Sequence, residues 1–199
     1  MVKKPSGVKV RPRSTRQIRI VAQAVREIFS IPPGAVDVVR FLEMDLPRAG
    51  VDYQILGNDE MGDDHGRTYP DQGIICIRED VYLGACEGNG RDRFTIPHEA
   101  GHLILHTGVS FARSSNSGDH EWYQDSEWQA NTFAAEFLMP LDEVIQYCDG
   151  PQDIADRFLV SYEAAEIRWN KLVKEGLLPR DRARKTGSSG RSTPFVPLG

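Results

Sequence analysis

The spacing of hydrophobic residues predicts helices at both ends of the chain and strands between them. From Ser14 onward, apolar residues recur every three or four positions, which is typical of an amphipathic helix. Residues 31–34 contain two prolines and a glycine and are expected to end that helix. A second, shorter helix is predicted between Val38 and Leu46, ended by Pro47.

In the middle of the chain the hydrophobic period changes to two. Apolar and polar residues alternate over 51–55, as in a half-buried strand, and residues 74–77 form an apolar run typical of a buried strand. Residues 57–66 and 84–93 are polar and contain glycine, so they are predicted to be loops. Helical spacing returns over 95–178. The sequence therefore predicts an α+β fold, with a small three-stranded sheet between helical segments.

Charge divides the chain into basic ends and an acidic body. Residues 1–26 carry eight basic residues and no acid, and residues 180–199 carry five basic residues and one acid. The whole chain has a net charge of −5, but residues 27–179 alone have −17. Because that body would repel phosphates, we expect no direct DNA binding through it. The two basic ends are expected to be solvated and disordered.

Compartment and redox state follow from what the sequence lacks. No apolar stretch approaches the roughly 20 residues that span a bilayer, and no apolar segment follows the basic start as in a secretory signal. The three cysteines, Cys76, Cys86 and Cys148, include no C-x-x-C pair. We therefore expect a cytoplasmic protein with no disulfide framework, no cysteine zinc site and no membrane partner.

The segment 98–102 has the pattern H-E-x-x-H, with His98 and His102 four residues apart. On a helix these residues lie on one face, so both imidazoles can reach one Zn²⁺ at about 2.0–2.1 Å. Glu99 lies about 100° around the helix, where it can act on water without binding the metal. The pattern is typical of a metal-dependent hydrolase.

The surrounding residues favour a helix through this segment. Thr95 can cap its start, Pro97 suits a first turn because its missing N–H costs little there, and Gly108 can end it. His106 is one turn beyond His102, but three histidines spaced in this way span about 12 Å of helix axis. One ion cannot be reached from both ends, so His106 is expected to pack beside the site.

A catalytic zinc site needs a third protein ligand, and a closed structural site needs a fourth. Residues 126–138 predict a helix that begins with an S-x-x-Q capping box at Ser126 and is stopped by Pro140. Glu127 is the preferred third ligand, and Asn131, one turn on, can hydrogen-bond a ligand imidazole. On spacing alone four carboxylates compete with Glu127: Asp119, Glu121, Asp125 and Glu136.

Two longer motifs occur here in a fixed order. R-F-T-x-x-H-E-x-x-H is matched over 93–102, and E-x-x-A-N-x-F-A-A-x-x-L-M-P over 127–140. Together they resemble the ImmA/IrrE-type metallopeptidases. The departures, Pro97 for a small residue and Phe137 for leucine, touch no candidate ligand. The resemblance extends weakly over about residues 15–178.

The resemblance implies a zincin-like domain of gluzincin type, in which His98, His102 and Glu127 bind Zn²⁺, or alternatively Mn²⁺, and Glu99 is the general base. It implies an endopeptidase that cleaves a helix-turn-helix repressor of the XRE type, with a role in transcription regulation and stress response. The predicted divisions are a disordered basic arm (1–13), the metallopeptidase domain (14–148), a C-terminal helical part similar to a helix-turn-helix (149–179) and a disordered tail (180–199). Because it is acidic, the C-terminal part is expected to contact protein rather than DNA.

Two features complete the expected active site. The polar loop 108–125 is expected to border the cleft and to become ordered with substrate. Three residues are candidates for a donor to the developing oxyanion: His106, His120 and Tyr123.

Two other functions compete with peptide hydrolysis. One is a non-proteolytic module that sequesters a regulator, as an anti-repressor or in a toxin–antitoxin pair, around a structural metal. The other is a DNA-binding regulator that uses its basic N-terminal arm.

Overall fold

The computed structural model describes residues 6–107 and 120–178, and it shows helices around a three-stranded mixed sheet. The strands are β1 (Asp52–Leu56), β2 (Gly66–Tyr69) and β3 (Ile74–Arg78). The helices are α1 (Thr15–Ile28), α2 (Val38–Arg40), α3 (Leu46–Arg48), α4 (Asn58–Met61), α5 (Glu79–Cys86), α6 (Gly90–Leu105), α7 (Ser126–Leu138), α8 (Leu141–Tyr147), α9 (Pro151–Phe158) and α10 (Tyr162–Lys174). The predicted α+β class is confirmed.

The sheet has the order β1-β3-β2, with β3 parallel to β1 and antiparallel to β2. The middle residues of β3, 75–77, are buried, as expected for the central strand of a small sheet. Strand β2 forms one edge of the sheet and lies against α6. This contact brings β2 next to the helix that carries H-E-x-x-H.

Helices α6 and α7 pack closely because small residues face each other where they meet. A Cβ atom on Gly101 would lie only 3.1 Å from the Phe133 ring and 3.2 Å from the Ala130 Cα. The phenylalanines of α7 continue into a hydrophobic core that also includes residues of α9 and α10, such as Phe158 and Trp169. The C-terminal helices therefore pack against the same core as the sheet and α6.

Helix α6 begins earlier than predicted. Its N-cap is Asn89, whose side chain accepts hydrogen bonds from the backbone N–H groups of Arg91 and Asp92, so Thr95 is not the cap. Pro97 consequently lies inside the helix rather than in its first turn. The loop predicted over 84–93 was wrong for most of its length, since α5 and α6 occupy it on both sides of a short turn.

Three other predictions, two of helix ends and one of a loop, also differ from the structure. Asp125 caps α7 by accepting a hydrogen bond from the Trp128 N–H at 2.8 Å, and Ser126 is the first helical residue. A π-helical turn joins α2 to α3, and Pro47 lies in α3 rather than after the helix. The loop predicted over 57–66 contains the short α4.

Residues 6–13, the part of the expected basic arm that the structure describes, contact the folded body. Val10 is buried, and Lys9 pairs with Asp125 in an isolated β-bridge. The predicted tail 180–199 and residues 108–119 of the expected cleft loop lie outside the described residues. None of the described helices is long and apolar enough to cross a membrane.

Candidate metal centre

The two histidines of H-E-x-x-H meet the carboxylate of Glu127 at the contact between α6 and α7. The Nε2 atoms of His98 and His102 are 3.1 Å apart. Glu127 Oε2 is 3.3 Å from His98 Nε2, and Glu127 Oε1 is 3.2 Å from His102 Nε2. The two imidazoles and the carboxylate group therefore form a triangle of three potential metal-binding side chains, in which Glu127 approaches each histidine through a different oxygen.

The size of this triangle fits a small divalent cation. Ligands at 2.0–2.1 Å in a tetrahedral site lie about 3.3–3.4 Å from one another. The closest approaches between the three groups, 3.1, 3.3 and 3.2 Å, are close to that edge length, with Glu127 Oε2 facing His98 and Oε1 facing His102. Two imidazoles and one carboxylate are also the ligand set of hydrolytic zinc sites. Among the described residues, these three form the one group of potential metal ligands found close together.

The three side chains also interact electrostatically. Burial alone would lower the pKa of His98, but hydrogen bonding to Glu127 and the charge of Glu99 outweigh it and raise that pKa. Burial alone would raise the pKa of Glu127, but hydrogen bonds from His102 and His98 hold it well below its ordinary value. Glu127 is therefore ionised at neutral pH, as a metal ligand must be.

Glu99 is buried and is held by the edge strand β2. The hydroxyl of Thr68 lies 2.6 Å from Glu99 Oε2 and 3.0 Å from the Glu99 backbone oxygen. At Gly66 a Cβ atom would lie 2.6 Å from Glu99 Cγ, so only glycine leaves room for this carboxylate. The sequence did not predict a role for Thr68 or Gly66, because a four-residue strand after a polar loop carries no clear hydrophobic period.

Asn131 lines the same cleft as His98 and His102, and its side chain contributes to the raised pKa of His98. His106 is buried, with Nε2 3.3 Å from Gln129 Oε1, and burial lowers its pKa to about 4. It therefore packs as a neutral ring beside His102.

The remaining candidates are not among the described residues that line the cleft. His120 has a fully buried side chain, with Nε2 3.2 Å from Asp125 Oδ2. Tyr123 is the exposed middle residue of the 3₁₀ turn Trp122–Gln124. Among the described residues, those lining the cleft at the metal centre include Asn131 but not His106, His120 or Tyr123.

The competing carboxylates have other partners or positions. Asp125 caps α7, and Glu136 is buried in ion pairs with Arg19 and Arg168. Glu121 is exposed at the start of the 3₁₀ turn. Asp119 lies outside the described residues. Of the carboxylates that the structure describes, Glu127 is the one grouped with both histidines.

A cleft of about 990 Å³ opens over the metal centre. Strand β2 and helix α6 form one wall, and α7 and α10 form the other, with Ala164, Ile167 and Lys171 contributed by α10. Lys171 Nζ lies 5.5 Å from the ring centroid of Trp128, which follows the candidate ligand Glu127 in sequence. The C-terminal helical part therefore shapes the space in which a substrate would bind.

Residues 50–170, more than half of the chain, match the family model described as the IrrE N-terminal-like domain of Peptidase_M78. No curated protein matches the sequence significantly. Among solved structures, a Mycobacterium tuberculosis transcriptional regulator is similar, with a TM-score of 0.53 and 18% identity. The likeness covers 83% of this chain but 49% of that protein, so the chain spans about half the regulator's length. At this identity the likeness shows a shared fold.

Proposed function

Because the chain belongs to the IrrE N-terminal-like family of M78 peptidases, we propose that it is a zinc-dependent endopeptidase. One observation carries this proposal: the triangle of His98, His102 and Glu127 has the size and chemistry of a zinc site, and Glu99 is held beside it. A base that is adjacent to the metal but is not one of its ligands is what peptide hydrolysis requires.

In this mechanism the protein groups have separate tasks. A bound Zn²⁺ supplies Lewis-acid activation of water and of the scissile carbonyl. Glu99 accepts the proton of the attacking water and delivers it to the nitrogen of the leaving amine. The Thr68 hydroxyl, 2.6 Å from Glu99 Oε2, fixes the direction in which that carboxylate faces. Asn131, which lines the same cleft and raises the pKa of His98, is placed to accept a hydrogen bond from His98 and so to orient its ring.

The ligand count favours hydrolysis over a purely structural metal. A closed structural zinc site has four protein ligands, whereas catalytic sites have three and leave a position for water or substrate. Among the described residues the group contains three ligands, and it borders an open cleft. A module that only sequesters a regulator would need neither the cleft nor the restrained Glu99.

We further propose that the substrate is a protein, a helix-turn-helix repressor of the XRE type. The family resemblance supports this class, and the similar Mycobacterium tuberculosis protein is named a transcriptional regulator. The cleft is large enough for a peptide segment, and its α10 wall offers Ile167, which is 62% exposed. We expect the acidic body to exclude direct DNA binding.

The test combines the purified protein with XRE-type repressors of the same organism, beginning with any that is encoded next to it. With Zn²⁺ present, we expect the repressor to be cut into discrete fragments, detected by mass spectrometry, and a chelator to stop the reaction. His98→Ala should lose both zinc and cleavage, while Glu27→Gln, a change on the exposed side of α1, should retain both. Tight complex formation without any cleavage would instead support the sequestering module. Salt-dependent binding to DNA fragments would support the DNA-binding regulator.

A further inference from the structure

The N-terminal strap, which we define as residues 7–13, lies outside the part of the chain that matches the family model. It runs along the start of α7 and the turn before it. Gly7 N–H donates to Asp125 Oδ2 at 2.8 Å, and Val8 N–H donates to Ser126 Oγ at 3.1 Å. Further along, Val10 N–H donates to the Gln124 backbone oxygen at 2.8 Å. The strap is thus hydrogen-bonded to the residues immediately before Glu127.

Gly7 touches the candidate ligand itself. A Cβ atom built on Gly7 would lie 2.4 Å from Ser126 Oγ, 2.8 Å from Glu127 N and 2.9 Å from Glu127 Cγ. The Ser126 hydroxyl could rotate away, but the Glu127 backbone nitrogen could not move without shifting the first turn of α7. The strap therefore lies directly on the backbone and side chain of Glu127.

Gln129 connects the strap to both metal-binding helices. Its fully buried amide nitrogen donates to the Arg11 backbone oxygen at 2.9 Å and to the Tyr123 backbone oxygen at 2.8 Å. Its oxygen lies 3.3 Å from His106 Nε2, one turn beyond His102 on α6. One side chain of α7 thus joins the strap, the 3₁₀ turn and the histidine helix.

We propose that the strap is a positioning element of the metal centre, which holds the first turn of α7 so that Glu127 faces His98 and His102. The proposal rests on the proposed function in one respect, since it takes Glu127 to be a metal ligand. The Glu127 side chain is 38% exposed, so packing alone does not fix its carboxylate. The strap supplies the missing restraint because Gly7 lies so close to Glu127 that even a Cβ atom there would come within 2.9 Å of its Cγ and backbone nitrogen.

The physical consequence is a dependence of metal affinity on a segment that contributes no ligand. Residues that orient metal ligands typically change metal affinity by about 10–100-fold when they are altered. If the strap is displaced, Glu127 must lose side-chain and backbone freedom each time it binds the ion. Metal affinity should then fall while the ligand set stays complete.

The test uses two variants of the full chain and a matched control. Gly7→Leu forces the strap off α7, and Ser126→Ala removes the acceptor of the Val8 N–H without adding bulk. The control is Gly57→Ala, because a Cβ atom at Gly57 has no neighbour nearer than 4.0 Å. Zinc dissociation constants are measured by competition with a chromophoric chelator. The Co²⁺-loaded proteins are compared by their visible absorption spectra, which report ligand geometry.

We expect Gly7→Leu to weaken zinc binding about tenfold and to alter the cobalt spectrum. Ser126→Ala should weaken binding about fivefold, as for the loss of one hydrogen bond, and Gly57→Ala should match the parent protein. Thermal unfolding in the presence of chelator establishes that each variant is folded. If Gly7→Leu does not fold, Ser126→Ala decides the question.

Zinc affinities within twofold of the parent, with unchanged cobalt spectra, would overturn the strap's role. Glu127→Gln separates this outcome from failure of the proposed function. If Glu127→Gln weakens zinc binding and the folded strap variants do not, the strap proposal alone is wrong. If Glu127→Gln also leaves zinc binding unchanged, the ligand assignment itself is wrong.

Discussion

Glu99 differs from its neighbours His98 and His102 in lying beside the proposed metal position without being part of the ligand triangle. Glu99→Gln keeps the shape and the hydrogen bond to Thr68 but removes the basic oxygen. We expect zinc affinity to stay unchanged and the cleavage rate to fall by about 10²–10⁴-fold. Single-turnover cleavage and zinc titration of the same preparation check both parts. A variant that cleaves at the parental rate would exclude Glu99 as the general base.

Thr68 provides a second prediction, because its hydroxyl is the donor that holds the Glu99 carboxylate. Thr68→Val keeps the volume but leaves Glu99 free to rotate, so kcat should fall about tenfold with little change in KM or zinc affinity. Thr68→Ser retains the hydroxyl and should restore most of kcat. If the valine and serine variants have equal kcat values, the hydroxyl does not position the base.

The residues of the candidate site differed in how well the sequence predicted them. His98, Glu99 and His102 were predictable because a single helix fixes their relative positions. Glu127 was one of five candidate carboxylates, since the contact between two helices depends on tertiary packing. Thr68 could not be inferred, because nothing in its local sequence indicates which helix an edge strand contacts.

At the scale of elements, the approach of α6 to α7 decides whether the ligands can meet. A Cβ atom on Gly101 would already lie 3.1 Å from the Phe133 ring and 3.3 Å from the Ala130 backbone oxygen. Gly101→Val should push the helices apart and lower the free energy of unfolding by about 1–3 kcal/mol. Zinc affinity should fall with it, because Glu127 moves away from the histidines.

Unfolding by denaturant in the presence of a chelator measures the free energy of unfolding. Competition with a chromophoric chelator measures the zinc affinity. Gly57→Ala is again the matched control, since its added methyl group has open space. A Gly101→Val protein with parental stability and zinc affinity would show that the two helices do not need this close approach.

The boundaries of these elements were predicted less well than their existence. The α7 prediction ended correctly before Pro140 but placed the cap at Ser126, although Asp125 is an equally favourable N-cap residue type. For α6, Pro97 suggested a helix start, whereas Asn89 begins the helix further upstream. For α7 the sequence offered two neighbouring residues of similar N-cap preference, and for α6 the proline drew attention away from the asparagine upstream.

Across the whole molecule, Glu136 joins the N-terminal and C-terminal helices through α7. Arg168 of α10 donates to both of its carboxylate oxygens at 2.7 Å, and Arg19 of α1 donates at 2.9 and 3.0 Å. Arg168 also donates to the Met139 backbone oxygen at 3.0 Å. The wall that α10 contributes to the cleft is therefore fixed to the helix that carries Glu127.

This cluster makes stability depend on pH in the acid range. Burial alone would raise the pKa of Glu136, but hydrogen bonds and charges from Arg168 and Arg19 outweigh it and hold that pKa below the ordinary glutamate value. Between the folded and unfolded pKa values the unfolded chain binds more protons, so the free energy of unfolding falls as pH decreases through that window.

Glu136→Gln removes this titration. The free energy of unfolding of this variant should be lower than the parent's at pH 7. The gap between the two free energies should narrow as the pH falls below the ordinary glutamate pKa. Chemical unfolding of both proteins in chelator, at pH values from 7 down to 3, measures the gap. A gap that stays constant over that range would show that Glu136 titrates alike in both states and that the two arginines do not stabilise its charge.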